Sequence, residues 1–176
     1  MDEQKRRRWL TPGRFLDAIA ILVIAFVAWK LLIAPRQLKG GDAYPAPQVS
    51  FQKLDGGTFH VADARGRVLF LDFFASWCDP CKLESPLVEQ YARKHPDVLV
   101  VPVDVGEPRM LAERFAKKYG LQHVVLDPKS SSQGFFQIQG FPTIVVIDPR
   151  GKIRASWSGF NPAIQMAMAN AAKTLR

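Results

Sequence analysis

Two cysteines, Cys78 and Cys81, are the residues of this 176-residue chain best suited to chemistry, and the chain has no others. A cysteine at the N-terminus of a helix has its thiolate stabilised by free N–H groups and by the helix dipole. Both effects lower its pKa from about 8.5 towards about 7. Cys78 is therefore the expected nucleophile of thiol-disulfide exchange, and Cys81, one helical turn later, is the expected resolving thiol.

A zinc half-site and an inert cysteine pair are the competing interpretations of two cysteines at this spacing. Structural zinc takes four ligands. No second cysteine pair exists, and His60, His95 and His123 are scattered over predicted strands and loops. The sequence therefore predicts a redox dithiol with no bound metal and no cofactor.

Two carboxylates lie near the cysteines in the sequence. Asp72 interrupts the apolar stretch VLFLDFFA ahead of Cys78, and Glu84 follows Cys81 by one helical turn. Thiol chemistry requires an acid or base of tuned pKa nearby, so both are candidates for proton transfer. The sequence leaves open a solvent-bonded strand-edge position for Asp72 and a solvated helix face for Glu84.

The elements that position these residues follow from hydrophobic patterns. Residues 68–75 are nearly all apolar and predict a central strand buried on both faces, while residues 80–94 predict the helix that begins at the cysteines. Trp157 and Phe160 are interpreted as packing residues. Further strands are predicted over residues 49–51, 58–61, 98–103, 124–126, 144–147 and 152–158, and further helices over residues 107–119 and 162–175. This alternation indicates an α/β fold, with a βαβ half joined to a ββα half.

The amino-terminal part of the chain has a different character. Residues 15–34 are mostly apolar and long enough, at about 30 Å as a helix, to cross a bilayer. They predict a transmembrane signal-anchor, with a cleaved signal peptide as the alternative. The basic residues in 1–14 place that segment in the cytoplasm and the rest outside. Residues 35–47 are rich in Gly and Pro and predict a linker, so the folded domain is expected over 48–176.

The formal net charge is +8. Basic residues concentrate before the apolar segment and are otherwise scattered, which is not the pattern of a nucleic-acid surface.

The stretch FFASWCDPCK, residues 73–82, resembles the thioredoxin signature, and GFPT, residues 140–143, resembles the cis-proline loop of that superfamily. Residues 101–107 and 124–127 are similar to the membrane-tethered TlpA and ResA branch, which reduces disulfides outside the cytoplasm. The resemblance covers about residues 46–175. It implies a thioredoxin fold, a central mixed sheet flanked by helices, with an N-terminal β-hairpin and a central αβ insertion.

The resemblance also implies a substrate-binding surface. In thioredoxin-like proteins the cis-proline loop packs beside the cysteines and its backbone pairs with the substrate chain, which implies that role for Phe141 and a cis Pro142. Trp77, a core aromatic or a docking residue by its type, is expected to dock substrate because it adjoins the nucleophile. The dipeptide Asp79-Pro80 sets the redox poise in this superfamily.

By the same resemblance, the two acids match residues of two different branches of the superfamily. Asp72 matches the buried aspartate of thioredoxins, and Glu84 matches an acid near the active site of ResA-like reductases. The implied function is a membrane-anchored disulfide reductase of cytochrome c maturation. Its partners would be proteins with oxidised cysteine pairs, apocytochrome c among them, and an integral-membrane thiol electron donor.

Two other functions remain open at this point. The same chemistry in reverse would make the chain an oxidase or isomerase for secreted proteins. A copper-binding assembly factor on the same fold would use the cysteines as metal ligands, although those proteins typically separate the cysteines by three residues rather than two.

Overall fold

A computed structural model describes residues 12–32 and 43–176 of the chain, which divides into two units between Ala34 and Pro35. In the first unit, helix α1 spans Pro12–Leu32. Its apolar side chains from Ile19 to Val27 are exposed. Over the described residues, no helix has both the length and the apolar character needed to cross a membrane. The predicted cytoplasmic segment up to residue 11, and residues 33–42 of the predicted anchor and linker, lie outside the described residues.

The second unit is built on one mixed sheet with the strand order β1-β8-β7-β4-β5-β6-β2-β3. Its strands are β1 (Tyr44–Pro45), β2 (Ser50–Lys53), β3 (Thr58–His60), β4 (Leu69–Phe74), β5 (Leu99–Val105), β6 (Val125–Asp127), β7 (Thr143–Ile147) and β8 (Lys152–Ser158). Its helices are α2 (Asp79–Lys94), α3 (Arg109–Tyr119), α4 (Ser131–Phe135) and α5 (Ile164–Leu175), and a 3-10 helix spans Val61–Ala64.

Strand β4 lies in the middle of this sheet, parallel to β5 and antiparallel to β7. All of its residues are at most 1% exposed. Successive side chains of a strand point to opposite faces, so a strand buried on both faces is apolar at nearly every position, and Asp72 is the exception in β4. The predicted central strand and the helix after it are therefore confirmed.

The two faces of the sheet have separate cores. Helices α2 and α5 cover one face, where Phe70 packs with Tyr91 and Met168. On the other face, Leu71 and Phe73 pack with Phe51 of the β2-β3 hairpin, together with the 3-10 helix. The sheet is curled, so that the hairpin at its edge folds over this second face.

The chain order confirms the predicted alternation of elements. The core order is β4-α2-β5 followed by β7-β8-α5, with α3, β6 and α4 between the two halves. Gly120 ends α3 in the left-handed conformation with φ 68°, which is the helix stop that the sequence indicates at this position.

The structure adds elements that the sequence pattern did not predict. Tyr44 and Pro45 pair with β8, and Ala46 is 3% exposed, so the sheet takes in residues that the pattern assigns to a linker. The two prolines around Ala46 indicate loop, yet an edge strand tolerates proline because one side of it needs no hydrogen bond. The sequence pattern does not predict helix α4 either, because its residues form a short polar stretch. The Asp127 carboxylate stabilises the start of this helix by accepting the N–H groups of Ser131 and Ser132.

Candidate active site

The cysteines lie at the junction between β4 and α2. After β4 ends at Phe74, the chain makes a turn in which the Cys78 N–H donates to the Ala75 carbonyl at 3.1 Å. Cys78 is the N-cap of α2, and its Sγ accepts the Cys81 N–H at 3.1 Å. The nucleophile predicted from sequence therefore receives an N–H group from the first turn of the helix, which stabilises negative charge on sulfur.

Cys78 and Cys81 are joined as a disulfide, so the structure represents the oxidised form. Cys78 is 4% exposed and Cys81 is fully buried, in the order that the sequence predicts. Both pack in an apolar cluster with Phe74 of β4 and Phe115 of α3. These apolar residues shield the two cysteines from water on the side that faces the protein interior.

Asp72 lies on β4 between Phe70 and Phe74, on the face that α2 covers. It is 1% exposed, and its Oδ1 accepts no hydrogen bond from any residue in the described ranges. Burial, followed by the nearby charge of Glu84, raises the pKa of Asp72 to about 8. The solvent-bonded edge position left open by the sequence is therefore excluded, and this carboxyl is mostly protonated at neutral pH.

Glu84 is also buried, with 2% of the residue exposed, so the solvated helix face is excluded as well. Its Oε2 accepts the Asn161 N–H at 2.6 Å, from the segment that joins β8 to α5. Burial raises the pKa of Glu84 to about 7, against the opposing effect of the Asn161 hydrogen bond. Two buried acids of raised pKa, one on β4 and one on α2, therefore lie close enough for the charge of Glu84 to act on Asp72.

The peptide bond between Phe141 and Pro142 is cis, as the resemblance implies. Phe141 contacts Trp77 edge to face, with ring centroids 5.9 Å apart. Trp77 is 67% exposed, which places it on the surface rather than in the core. The Pro142 carbonyl accepts the Gly159 N–H at 2.8 Å, so the cis-proline loop is tied to the end of β8.

The packing role expected for Trp157 and Phe160 holds for one of the two. Trp157 is 5% exposed and packs in the core, whereas Phe160 is 42% exposed, so the packing prediction for Phe160 is wrong. Phe160 lies between Gly159 and Asn161, whose N–H groups are held by the cis-proline loop and by Glu84. Those two bonds hold the backbone of this segment and leave the ring in solvent.

The two residues between the cysteines, Asp79 and Pro80, are exposed. Lys82 Nζ donates to Asp79 Oδ1 at 2.6 Å, and this bond holds the pKa of Asp79 below its usual range. Asp79 is thus a solvated anion one residue from the nucleophile. Among the residues described, no group of three or more His, Cys, Asp or Glu side chains is arranged to hold a metal ion.

A second pair of acids near the dithiol was missed by the sequence reasoning. Glu107, 5% exposed, accepts the backbone N–H of Ser76 through Oε2 at 2.5 Å and the Ser76 hydroxyl through Oε1 at 2.6 Å. Asp104, 1% exposed, lies on β5 beside Phe74. One sequence signal was present, because Asp104 interrupts the apolar run VVPVDV just as Asp72 interrupts VLFLDFFA.

The fold and the dithiol at a strand-to-helix junction define the class of protein. The family model described as the AhpC/TSA family matches residues 43–156, and the chain belongs to this thioredoxin-like family. It is a thiol-disulfide oxidoreductase of the ResA and DsbE type. The thiol-disulfide oxidoreductase ResA of Bacillus subtilis (strain 168) is 30% identical over 156 residues, which cover 86% of this chain and 84% of that protein.

Solved structures show the same similarity. A putative thiol:disulfide interchange protein DsbE from Chlorobium tepidum superposes with a TM-score of 0.70 at 29% identity, over 76% of this chain and 96% of that one. The MTB protein dsbF superposes with a TM-score of 0.67 at 28% identity, over 74% of this chain and 99% of that one.

The raised pKa of Asp72 predicts how stability depends on pH. Its folded pKa of about 8 lies above the ordinary value of 3.8, so its contribution to stability is fully present below about pH 4 and is lost as the pH rises through about 8. We expect the urea midpoint of the native chain to decrease as the pH rises from about 4 to about 8. The urea midpoint of Asp72→Asn should decrease less over the same range. Asp55→Asn, at an exposed turn position, is the matched control and should follow the native curve. Parallel curves for Asp72→Asn and the native chain would contradict the assignment.

Proposed function

We propose that the chain is a disulfide reductase that acts on protein substrates outside the cytoplasm, with Cys78 as the nucleophile and Cys81 as the resolving thiol. The observation that carries the proposal is the position of Cys78 at the start of α2, where its sulfur accepts the Cys81 N–H at 3.1 Å. Nucleophile, resolving thiol and two buried acids are thereby collected at one end of the sheet.

The reaction begins from the reduced dithiol. The Cys78 thiolate attacks one sulfur of a substrate disulfide, the substrate S–S bond breaks, and the departing substrate thiolate takes up a proton. Cys81 then loses its proton and attacks the sulfur of Cys78. This breaks the mixed disulfide, releases the second substrate thiol and leaves the Cys78–Cys81 disulfide. Two electrons pass from the dithiol to the substrate.

Asp72 and Glu84 are proposed to hold and transfer the protons of these steps. Cys81 must lose a proton inside an apolar cluster, where no solvent base reaches it. General acid-base groups work best when their pKa is close to the operating pH, and the pKa of Glu84 is raised to about 7. Asp72, at the centre of the sheet beneath α2, is the complementary proton store.

The substrate is proposed to bind across the exposed surface next to Cys78. Trp77 and Phe141 offer an apolar contact, and the backbone of the cis-proline loop at Phe141 and Pro142 pairs with an extended substrate segment, as it does in thioredoxin-like proteins. Asp79 and Pro80 follow the nucleophile at the exposed start of α2, where they are proposed to contact the substrate as well.

The electrostatics favour reduction over oxidation. A negative charge near a dithiol disfavours its thiolate, and Glu84, whose pKa is raised to about 7, carries such a charge in part of the molecules at neutral pH. A strong oxidant is strong because its reduced, thiolate form is stabilised. The similarity to ResA and DsbE proteins supports a role in cytochrome c maturation, with oxidised apocytochrome c as substrate and an integral-membrane thiol carrier as electron donor.

The membrane topology is part of the same proposal. Residues 1–14 would lie in the cytoplasm, 15–34 would form the anchor, 35–47 would link it to the domain, and 48–176 would be the extracytoplasmic domain. The support comes from the sequence alone: residues 15–34 are mostly apolar, residues 33 and 34 of this stretch lie outside the described part of the chain, and basic residues precede it.

The two cysteine roles predict opposite behaviour for the two single-cysteine chains. Cys81→Ser should accumulate mixed disulfides with substrate, because nothing resolves them, whereas Cys78→Ser should accumulate none. The measurement is a non-reducing gel after acid trapping, followed by reduction of the trapped band. Equal trapping by both variants would overturn the assignment of roles.

The reduction potential separates reductase from oxidase. We expect a value near or below about −250 mV for the full chain equilibrated in thiol buffers, which is the range of thioredoxin-like reductants. Trp77 next to Cys78 supplies the fluorescence signal. A value near about −120 mV would make the chain an oxidant for secreted proteins instead.

The anchor predicts membrane retention. The full chain should stay in the membrane fraction after an alkaline carbonate wash, with its folded domain cleavable by protease added to spheroplasts. A chain that begins at residue 36 and follows a cleavable signal should be soluble, and serves as the control. Recovery of the full chain in the soluble fraction would contradict the proposed anchor.

A further inference from the structure

Two turns at the end of the sheet where β4 begins carry four basic residues. The Gly66 N–H donates to the Pro149 carbonyl at 3.0 Å, which joins the loop ahead of β4 to the turn between β7 and β8. Arg65 lies over that turn, with its Nε 3.5 Å from where a Cβ on Gly151 would be. The residues of this basic face are Arg65, Arg67, Arg150 and Lys152.

The basic face is unneutralised. All four side chains are exposed, and none has an ion-pair or hydrogen-bond partner within the described residues. The acid of the β7-β8 turn is directed inward, because Asp148 Oδ1 accepts the N–H groups of Arg150 and Lys152 at 3.0 and 2.9 Å, and Oδ2 lies 3.7 Å from Arg154. Asp148 therefore stabilises the turn and leaves the two cations of the turn facing solvent.

The exposed acids near the starts of β4 and β5 are engaged elsewhere. Asp63 Oδ2 accepts the His60 N–H at 3.4 Å, and Asp97 forms an ion pair with Arg176. The end of the sheet where β4 begins therefore carries an excess of unpaired positive charge.

The chain enters the folded domain at this same end. Strand β1 pairs with Lys152 and Ile153 of β8, and the next residue, Ala46, donates its N–H to the Gly151 carbonyl at 2.9 Å. Residues 35–42 connect the proposed anchor to the first described residue of the domain, and a chain of this length spans at most about 30 Å. Under the proposed topology, the entry point beside the basic face thus stays close to the lipid surface.

The dithiol lies at the opposite end of the sheet. Strand β4 runs from Leu69, two residues after Arg67, to Phe74, after which the chain turns to Cys78. At about 3.3 Å per residue, this strand is about 17 Å long. A domain that rests on its basic face therefore keeps its dithiol at least one strand length from the contact.

We propose that the basic face binds the anionic headgroups of the membrane that holds the anchor, and thereby directs the dithiol towards protein substrates. Guanidinium groups donate paired hydrogen bonds to phosphate, and a lysine adds a point charge. Tyr44, 38% exposed on β1 next to this face, is a residue type enriched at membrane interfaces. The contact is electrostatic and reversible, so the domain can also turn towards the proposed integral-membrane electron donor.

The other class of partner for such a face is an acidic protein. Protein interfaces have an apolar core, often with aromatic side chains. Residues 65–67 and 148–152 carry no exposed large apolar side chain. Charge without an apolar core, beside the point where the chain comes from the proposed anchor, favours lipid headgroups.

The test uses the full chain, reconstituted into lipid nanodiscs and acetylated with acetic anhydride, a neutral reagent. Lys152 reports on the basic face, and Lys117 of α3 is the internal reference, because both are exposed and neither has an ion-pair partner in the described part of the chain. Mass spectrometry gives the ratio of the two acetylation rates. The discs contain zwitterionic phosphatidylcholine, either alone or mixed with anionic phosphatidylglycerol.

We expect anionic discs to slow the acetylation of Lys152 several-fold relative to Lys117, and zwitterionic discs to leave the ratio unchanged. Salt at about 1 M should remove the protection, because the Debye length then falls to about 3 Å. The inference rests on the proposed anchor, which the carbonate wash tests by itself. Equal ratios in the two kinds of disc would overturn the inference even where the wash retains the chain.

A double substitution tests the basic face directly. Arg67→Gln with Arg150→Gln leaves Lys152 as the reporter. Each basic residue near an anionic surface strengthens binding about fivefold, so this variant should bind lipid about 25-fold more weakly and lose the protection. Arg114→Gln with Lys129→Gln, at exposed positions outside the basic face, is the control of equal net charge and should keep it.

Two results would contradict the assignment of this face to lipid. Equal loss of protection in both double variants would show an effect of net charge alone. Protection of Lys152 in native membrane vesicles, but not in discs of pure lipid, would assign the basic face to an acidic protein instead.

Discussion

Burial of β4 on both faces is the constraint on which the site depends. Leu71 and Phe73 face one core and Phe70 faces the other, and each buried side chain of this size contributes about 1.5–3 kcal/mol to folding. A strand fixed in this way ends at a defined point. The turn to α2 therefore starts from a rigid base, and Cys78 arrives at the helix N-terminus, where its sulfur accepts an N–H group.

The cysteines belong to a region with several buried acids, and burying an acid lowers the stability of the folded state. Asp72 and Asp104 both have a pKa raised to about 8 because burial disfavours their ionised forms. Folding tolerates them because each can stay neutral at the working pH. Stability is thus lower than apolar residues would provide at these positions, and the region gains carboxyl groups whose pKa values lie near neutral pH.

Hydrogen bonds connect the buried Glu84 to the cis-proline loop through one short segment of the chain. Glu84 holds the Asn161 N–H, and two residues earlier the Gly159 N–H is held by the Pro142 carbonyl. A short segment that carries the exposed Phe160 therefore spans from Glu84 to the cis-proline loop. The position of this segment follows from where β8 ends and α5 begins.

The sequence by itself determined the elements that local pattern controls. The apolar run of β4, the helix after it and the glycine stop of α3 follow from side-chain periodicity and backbone preference, and Cys78 and Cys81 follow from their spacing. The hairpin of β2 and β3 follows from the Gly-rich turn between them. These features depend on neighbours within a few residues, so they can be predicted from the sequence.

Only the tertiary structure decided which distant residues meet. Glu107 reaches Ser76 and Glu84 reaches Asn161 across gaps of 31 and 77 residues, and strand register and helix docking set those contacts. The pairing of Tyr44 and Pro45 with β8 is decided in the same way. The sequence does not indicate which carboxylates will be buried, because the pKa and the hydrogen-bond partners of a carboxylate are set by the elements that pack over it.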